Sequence, residues 1–231
     1  DYREVLFIKN PSPEMITWFG HRLSKEQASA ISGIQTVVFV EEMDSVLNNI
    51  LFHSQHVYLH LPESSRSKND FPTREVRLAE QLKKDYPLHS YHRLAPILNP
   101  LRAVKHPEEL EALKKACDIT AKAFRRAKAA VKPGMYEYEI EAELIYEMMK
   151  NGASGHSFAP ICASGADTCI LHYIKNDKMM QDGDLLLMDF GAEYANYAGD
   201  CSRTIPVNGH FTPRQKAVYD AVLSIYKDTI P

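Results

Sequence analysis

Residues 183–194, Gly183-Asp184-Leu185-Leu186-Leu187-Met188-Asp189-Phe190-Gly191-Ala192-Glu193-Tyr194, set the tightest limit on what this chain can become. So apolar a run, followed by turn residues, reads as a strand. Yet it carries an acid, Asp189, in its middle, and a carboxylate buried alone is costly. The returning stretch Tyr197 to Val207 brings a second acid, Asp200, eleven residues later. Closing the hairpin on Tyr194-Ala195, or on a longer loop from Glu193 to Asn196, sets Asp189 and Asp200 directly opposite each other, with Cβ atoms about 4.5 to 5.5 Å apart. Two carboxylates at that distance repel. A divalent cation between them removes the repulsion and offsets desolvation, and two ions about 3.5 to 4 Å apart can share the pair. Hard carboxylate ligands favour manganese or magnesium and admit zinc and cobalt. The competing reading is that Arg203 pairs with one acid, or that the strands slip and both acids are solvated.

The remaining chain divides in two. Up to about Pro100, short apolar runs alternate with helical periodicity, which predicts a layered α/β domain. Strands are expected at Val5–Ile8, Thr36–Val40 and Val57–Leu61, with packing helices at Glu42–Phe52 and Arg74–Lys84. Polar Ser64–Asp70 reads as a surface loop. Pro100 interrupts and Pro107 suits the first turn of a new helix, so the boundary is placed within Asn99–His106, giving domains 1–100 and 101–231. In the second, Leu110, Leu113, Cys117, Ala121, Phe124, Ala127 and Val131 form one apolar stripe, and Tyr136, Ile140, Leu144 and Met148 form another on a helix that stops at Asn151-Gly152. Strands at Ser157–Ala163 and Ile170–Ile174, the long hairpin Asp184–Val207 and a helix over Thr212–Lys227 complete an α+β domain.

With 27 basic and 30 acidic residues spread along 231, the chain offers no electrostatic footprint for nucleic acid. No stretch approaches the roughly 20 apolar residues of a membrane span. Four cysteines without a CxxC pair read as reduced thiols, and the expected location is the cytoplasm. Both ends of the chain read as cuts. His156 is expected in a surface loop. His53, His56, His60, His89 and His92 have no ligand partners at useful spacing. Gly191 is explicable as a close backbone approach or a bulge beside Asp189. Arg203 is expected to brace the sheet through an ion pair.

The segments Ile170-Leu171-His172-Tyr173, Asp182 to Asp189, Glu193-Tyr194 and Tyr197 to Gly209 resemble the signature of the Xaa-Pro aminopeptidase (aminopeptidase P) and prolidase family. Leu101-Arg102, Lys105 to Glu109, Phe211-Thr212 and Gln215 to Tyr219 extend the resemblance, and Trp18-Phe19-Gly20 with Arg22 carry it more weakly into the first domain. Ser202 stands where the family usually has threonine, and the hydroxyl is kept. The resemblance implies the later part of a non-catalytic N-terminal domain over 1–100 and the first half of a pita-bread catalytic domain over 101–231. It also implies two divalent metal ions, manganese foremost, bound by Asp189 and Asp200, with His172 beside the substrate. The implied substrate is a peptide with proline second, and homo-oligomers are common in the family. A histidine and two glutamates that complete the family's site have no counterpart after Thr204, so the chain alone is expected to be inactive. Prolidase action on dipeptides, and a non-catalytic pita-bread binding module, stay open. A domain ahead of the catalytic one disfavours methionine aminopeptidase, and the two acids disfavour the creatine-hydrolysing relatives.

Overall fold

The structure is a computed structural model describing residues 4–63 and 71–229. The expected loop Ser64–Asp70 lies outside the described residues, as do the last residues of the chain. Contacts divide the chain into two compact units between Ala103 and Val104.

In the first unit, β1 (Val5–Ile8) pairs in parallel with β2 (Thr36–Phe39), and β3 (His56–Leu59) pairs in parallel with β4 (Ser90–Arg93). Parallel pairs need a long crossover. The first pair is joined through α1 (Pro13–Phe19) and α2 (Lys25–Ser32), and α3 (Met43–Phe52) leads on to β3. The second pair spans α4 (Arg74–Asp85), and α5 (Ala95–Ala103) follows β4. The α2 helix is fixed at both ends by local chemistry: Ser24 and Gln27 form a reciprocal capping box, and Gly33 closes it with φ 77°. Pro100 does not interrupt as expected. It lies inside α5, which continues at the loss of one backbone hydrogen bond.

The second unit is built on two helices, α6 (Pro107–Ala130) and α7 (Glu137–Lys150). Short β5 (Gly155–His156) and β6 (Ile161–Ser164) precede β7 (Leu185–Phe190), β8 (Ala192–Tyr194), β9 (Tyr197–Ala198) and β10 (Cys201–Pro206), and α8 (Pro213–Thr229) ends the unit. The strands form two antiparallel sheets, ordered β10-β7-β6 and β5-β8-β9. The apolar stripe expected on α6 is rotated in the structure. Ala116, Ile119, Thr120, Ala123 and Ala127 are buried, whereas Cys117 and Leu110 are exposed. Small side chains at 116, 123 and 127 take the packed face, and the larger residues of the expected stripe flank it. The α7 stripe is found as expected at Ile140, Leu144 and Met148. These meet Leu186, Met188 and Phe190 of β7 in one core, each large side chain contributing about 1.5 to 3 kcal/mol by burial.

Exposure along β7 alternates, with Leu186, Met188 and Phe190 buried and Leu185, Leu187 and Asp189 half-buried. The strand thus turns one face to the helices and the other, carrying Asp189, away from them. No described helix is long and apolar enough to cross a membrane.

Candidate functional site

The two aspartates lie on the β7–β10 hairpin, but not directly opposite. Tyr194 pairs with Tyr197, so the loop is Ala195-Asn196, one residue later than expected. Both loop residues have positive φ, 51° and 66°, as a type I′ turn requires. This moves the register by two, and Asp189 faces Ser202. The same register carried past the end of the ladder sets Asp200 across from Gly191. In a regular ladder the acids would be diagonal neighbours about 7 to 8 Å apart, but Asp200 precedes β10 and the close approach of Gly191 to the Gly199 carbonyl departs from that geometry. Asp189 is half-buried and Asp200 exposed, so neither bears the full cost of a buried lone carboxylate.

Ser202 Oγ donates to Asp189 Oδ1 at 2.9 Å. Arg203 neither pairs with an acid nor braces the sheet by an ion pair among the described residues, its guanidinium donating instead to the Ser202 carbonyl. A clamp holds the hairpin between the acids. Ser157 N donates to the Gly191 carbonyl and Ser157 Oγ to the Gly199 carbonyl. A Cβ on Gly191 would fall 1.7 Å from the Gly199 oxygen, and one on Gly199 would fall 2.4 Å from Thr120 Oγ1. The close approach expected at Gly191 is therefore found. Thr120 Oγ1 in turn accepts from Ala192 N at 3.0 Å, fastening the hairpin to α6.

His172 does not sit on a strand. After β6 the chain forms a 3-10 turn over Gly165–Cys169, and the expected strand Ile170–Ile174 is irregular. His172 is exposed there, lining a cavity of about 480 Å³ with Asp167, Tyr173 and Lys178. Its neighbour Tyr173 is only 5% exposed. The Tyr173 hydroxyl donates at 2.8 Å to Glu137, the first residue of α7, whose side chain is fully buried. Burial, and next the Glu137 carboxylate, push the Tyr173 hydroxyl up to about 12. Glu137 also accepts from Ser164 N and Ser164 Oγ, both at 2.7 Å, and from Lys178 N at 3.1 Å. Four donors thus solvate a buried carboxylate that has no ion-pair partner among the described residues, and its place at the start of a helix adds favourable dipole. Sequence reasoning missed Glu137. Acids are common in a helix's first turn, and the available signal was the Tyr173 hydroxyl in an apolar run, which needs a partner when buried.

His156 also differs from expectation. It lies in β5 with its side chain 15% exposed, Nε2 is 3.8 Å from Glu141 Oε1, and neither ring nitrogen has a hydrogen-bond partner among the described residues. Burial lowers its pKa against the opposing influence of Glu141.

On the acid-bearing face, Ser202 and Thr204 of β10 line a groove of about 1000 Å³ whose other wall is α8, with Val218, Val222 and Tyr226. The donor set suits a hard divalent cation as far as it goes. Asp200 is exposed, and Asp189 Oδ2 has no hydrogen-bond partner among the described residues. No histidine, cysteine or further acid joins the two aspartates in a metal-holding group among the described residues.

The model of metallopeptidase family M24 matches residues 111–230, and that of the aminopeptidase P N-terminal domain matches residues 1–58. The Xaa-Pro aminopeptidase of Escherichia coli (strain K12) is 37% identical over 228 residues, covering 95% of this chain and 50% of that protein. The Xaa-Pro aminopeptidase of Haemophilus influenzae is 34% identical over 229 residues, covering 99% of this chain and 51% of its own length. Among solved structures, proline aminopeptidase P II from Yersinia pestis aligns with a TM-score of 0.84 at 33% identity, over 96% of this chain and 51% of that one. The chain spans about half the length of the curated relatives it matches.

Proposed function

Since the chain belongs to metallopeptidase family M24, we propose that it forms the front half of a metal-dependent aminopeptidase releasing the N-terminal residue from Xaa-Pro peptides. Its fold, an α/β N-terminal domain followed by an α+β partial pita-bread domain, is that of its aminopeptidase P neighbours. The observation that supports the reading is that Asp189 stands on the face of β7 turned away from the α6–α7 core, opposite Ser202 of β10, with Asp200 two residues before Ser202 in the returning chain. We assign residues 101–231 as the first half of the catalytic domain and residues 1–100 as the later part of the non-catalytic one.

In this reading Asp189 and Asp200 hold two divalent ions, manganese foremost, with further ligands supplied from outside this chain. When bound, such ions lower the pKa of a water and stabilise charge developing on the scissile carbonyl. The Ser202 hydroxyl holds the Asp189 carboxylate in place through its hydrogen bond to Oδ1. His172, exposed on its tethered loop, hydrogen-bonds the substrate or the developing oxyanion. Proline at the second position offers no N–H, so the pocket receives a ring where other peptidases meet a donor.

The test compares the full-length parent with an Asp189→Asn, Asp200→Asn double variant, following release of the N-terminal residue from a Xaa-Pro-Xaa peptide with manganese added. Loss of even outer-shell partners costs about 10- to 100-fold, and removing both ligands is expected to exceed that. Unchanged activity in the variant would sink the site assignment. An inactive parent would favour a non-catalytic binding module, and preference for dipeptides would favour prolidase. The 231-residue chain by itself is expected to show no cleavage.

A further inference from the structure

The loop carrying His172 has no regular secondary structure, so something else must fix the imidazole. One buried carboxylate gathers the chain at three places. Glu137 Oε1 takes both donors of Ser164, where β6 ends and the chain leaves toward the loop. Glu137 Oε2 takes the Tyr173 hydroxyl and Lys178 N, so both ends of the segment from 173 to 178 converge on a single oxygen atom. The backbone repeats the tie, since Glu137 N donates to the Lys178 carbonyl at 3.1 Å. One turn along α7, Glu141 accepts from Asn176, which has φ 53° in the middle of that segment. Tyr173 is the buried side chain adjacent to His172, so its orientation dictates where the imidazole can reach.

We propose that Glu137, acting through the Tyr173 hydroxyl, is the positioning residue that aims His172 at the substrate. This rests on the role given to His172 above. Glu137 touches no substrate. A carboxylate suits the site because all four groups donate to it, and glutamine, of the same shape, would turn its N–H₂ toward a backbone N–H, that of Ser164 or of Lys178, which cannot accept. Removing the Tyr173 hydroxyl leaves Glu137 with three donors and frees the loop at one point only, so Tyr173→Phe is the milder probe.

The experiment has two arms. In the first, kcat and KM for a Xaa-Pro-Xaa peptide are measured in the full-length parent for Tyr173→Phe, His172→Ala and the double variant. Tyr173→Phe is expected to lower kcat about tenfold with little change in KM, as for a hydrogen bond to a charged group. In the His172→Ala background the same change is expected to have no further effect, because the two residues act as one unit. An equal effect in both backgrounds would show a general structural role and overturn the proposal. In the second arm, the imidazole signals of His172 are recorded by ¹⁵N-edited NMR in wild type, Tyr173→Phe and Glu137→Gln. Shifted or broadened His172 signals with the other histidines unmoved support the proposal, and wild-type signals in both variants refute it. This arm needs no turnover. If the parent cleaves no Xaa-Pro peptide, the functional reading fails while the NMR result still decides whether Glu137 aims His172.

Discussion

His156 is the side chain whose surroundings are least balanced. Its ring nitrogens are buried without hydrogen-bond partners among the described residues, and burial lowers its pKa below the ordinary 6.5. The unfolded chain therefore takes up a proton near pH 6.5 while the folded chain resists it. Stability from this site is complete above that value and declines as pH falls below it. Replacing His156 by Gln is expected to flatten the loss of stability between pH 6.5 and 5, as read from urea midpoints at each pH; an unchanged slope would show that other groups set the acid limb. Residues of this kind are the least legible in a sequence. A histidine between Gly155 and Ser157 looks like part of a loop, and only the pairing of β5 with β8 puts it under cover. Glu137 was hidden for the converse reason, since an acid at a helix start already has an ordinary explanation. Asp189 stood out because it interrupts an apolar strand, and Asp200 because it comes eleven residues later in the returning stretch.

At the scale of elements, the hairpin shows what periodicity can and cannot fix. The hydrophobic run located β7, and the returning stretch does pair with it as β10, with Asp189 in the ladder and Asp200 just before it. Register depended on the turn, and type I′ turns usually announce themselves by Asn-Gly or Asp-Gly. Here Ala195 takes the first left-handed position, which costs a non-glycine residue about 1 to 2 kcal/mol. Ala195→Gly is accordingly expected to raise the hairpin's stability by about 1 kcal/mol or less, after the greater freedom of glycine in the unfolded chain is subtracted. A lower melting temperature in that variant would contradict the turn assignment. The α6 stripe was misplaced for a different reason. Counting large apolar side chains favours Leu110 and Phe124, whereas close packing against the hairpin and α7 selects alanines and Thr120. The run from Ile170 to Ile174 carries strand-forming residues, but the buried Glu137 draws Tyr173 out of any ladder.

For the whole molecule, two-unit organisation and mixed architecture were legible from alternating periodicities and from Pro107 at the start of α6, whereas Pro100 lies inside α5 and marks no break. Which surfaces stay open was not, because a single sequence does not say what covers a helix. Along α8, Val218, Val222, Ile225 and Tyr226 are each more than half exposed, a contiguous apolar face on one wall of the groove beside Ser202. Exposed patches of this kind favour association. The double change Val222→Glu, Ile225→Lys is therefore expected to raise solubility of the chain and reduce its binding of a hydrophobic dye, with the melting temperature within about 2 °C of wild type. A large fall in melting temperature would mean that the face is packed in solution.

The alternation along β7 has a consequence for how such a chain can change over time. Positions 186, 188 and 190 answer to the main core and 187 to the smaller buried cluster of Ile161, Ala163 and Tyr173, while 185 and 189 stand on the more open face. Chemistry therefore enters this strand at a single letter, Asp189, set between positions that packing dictates, so a change there alters what the hairpin can hold and leaves its folding instructions intact.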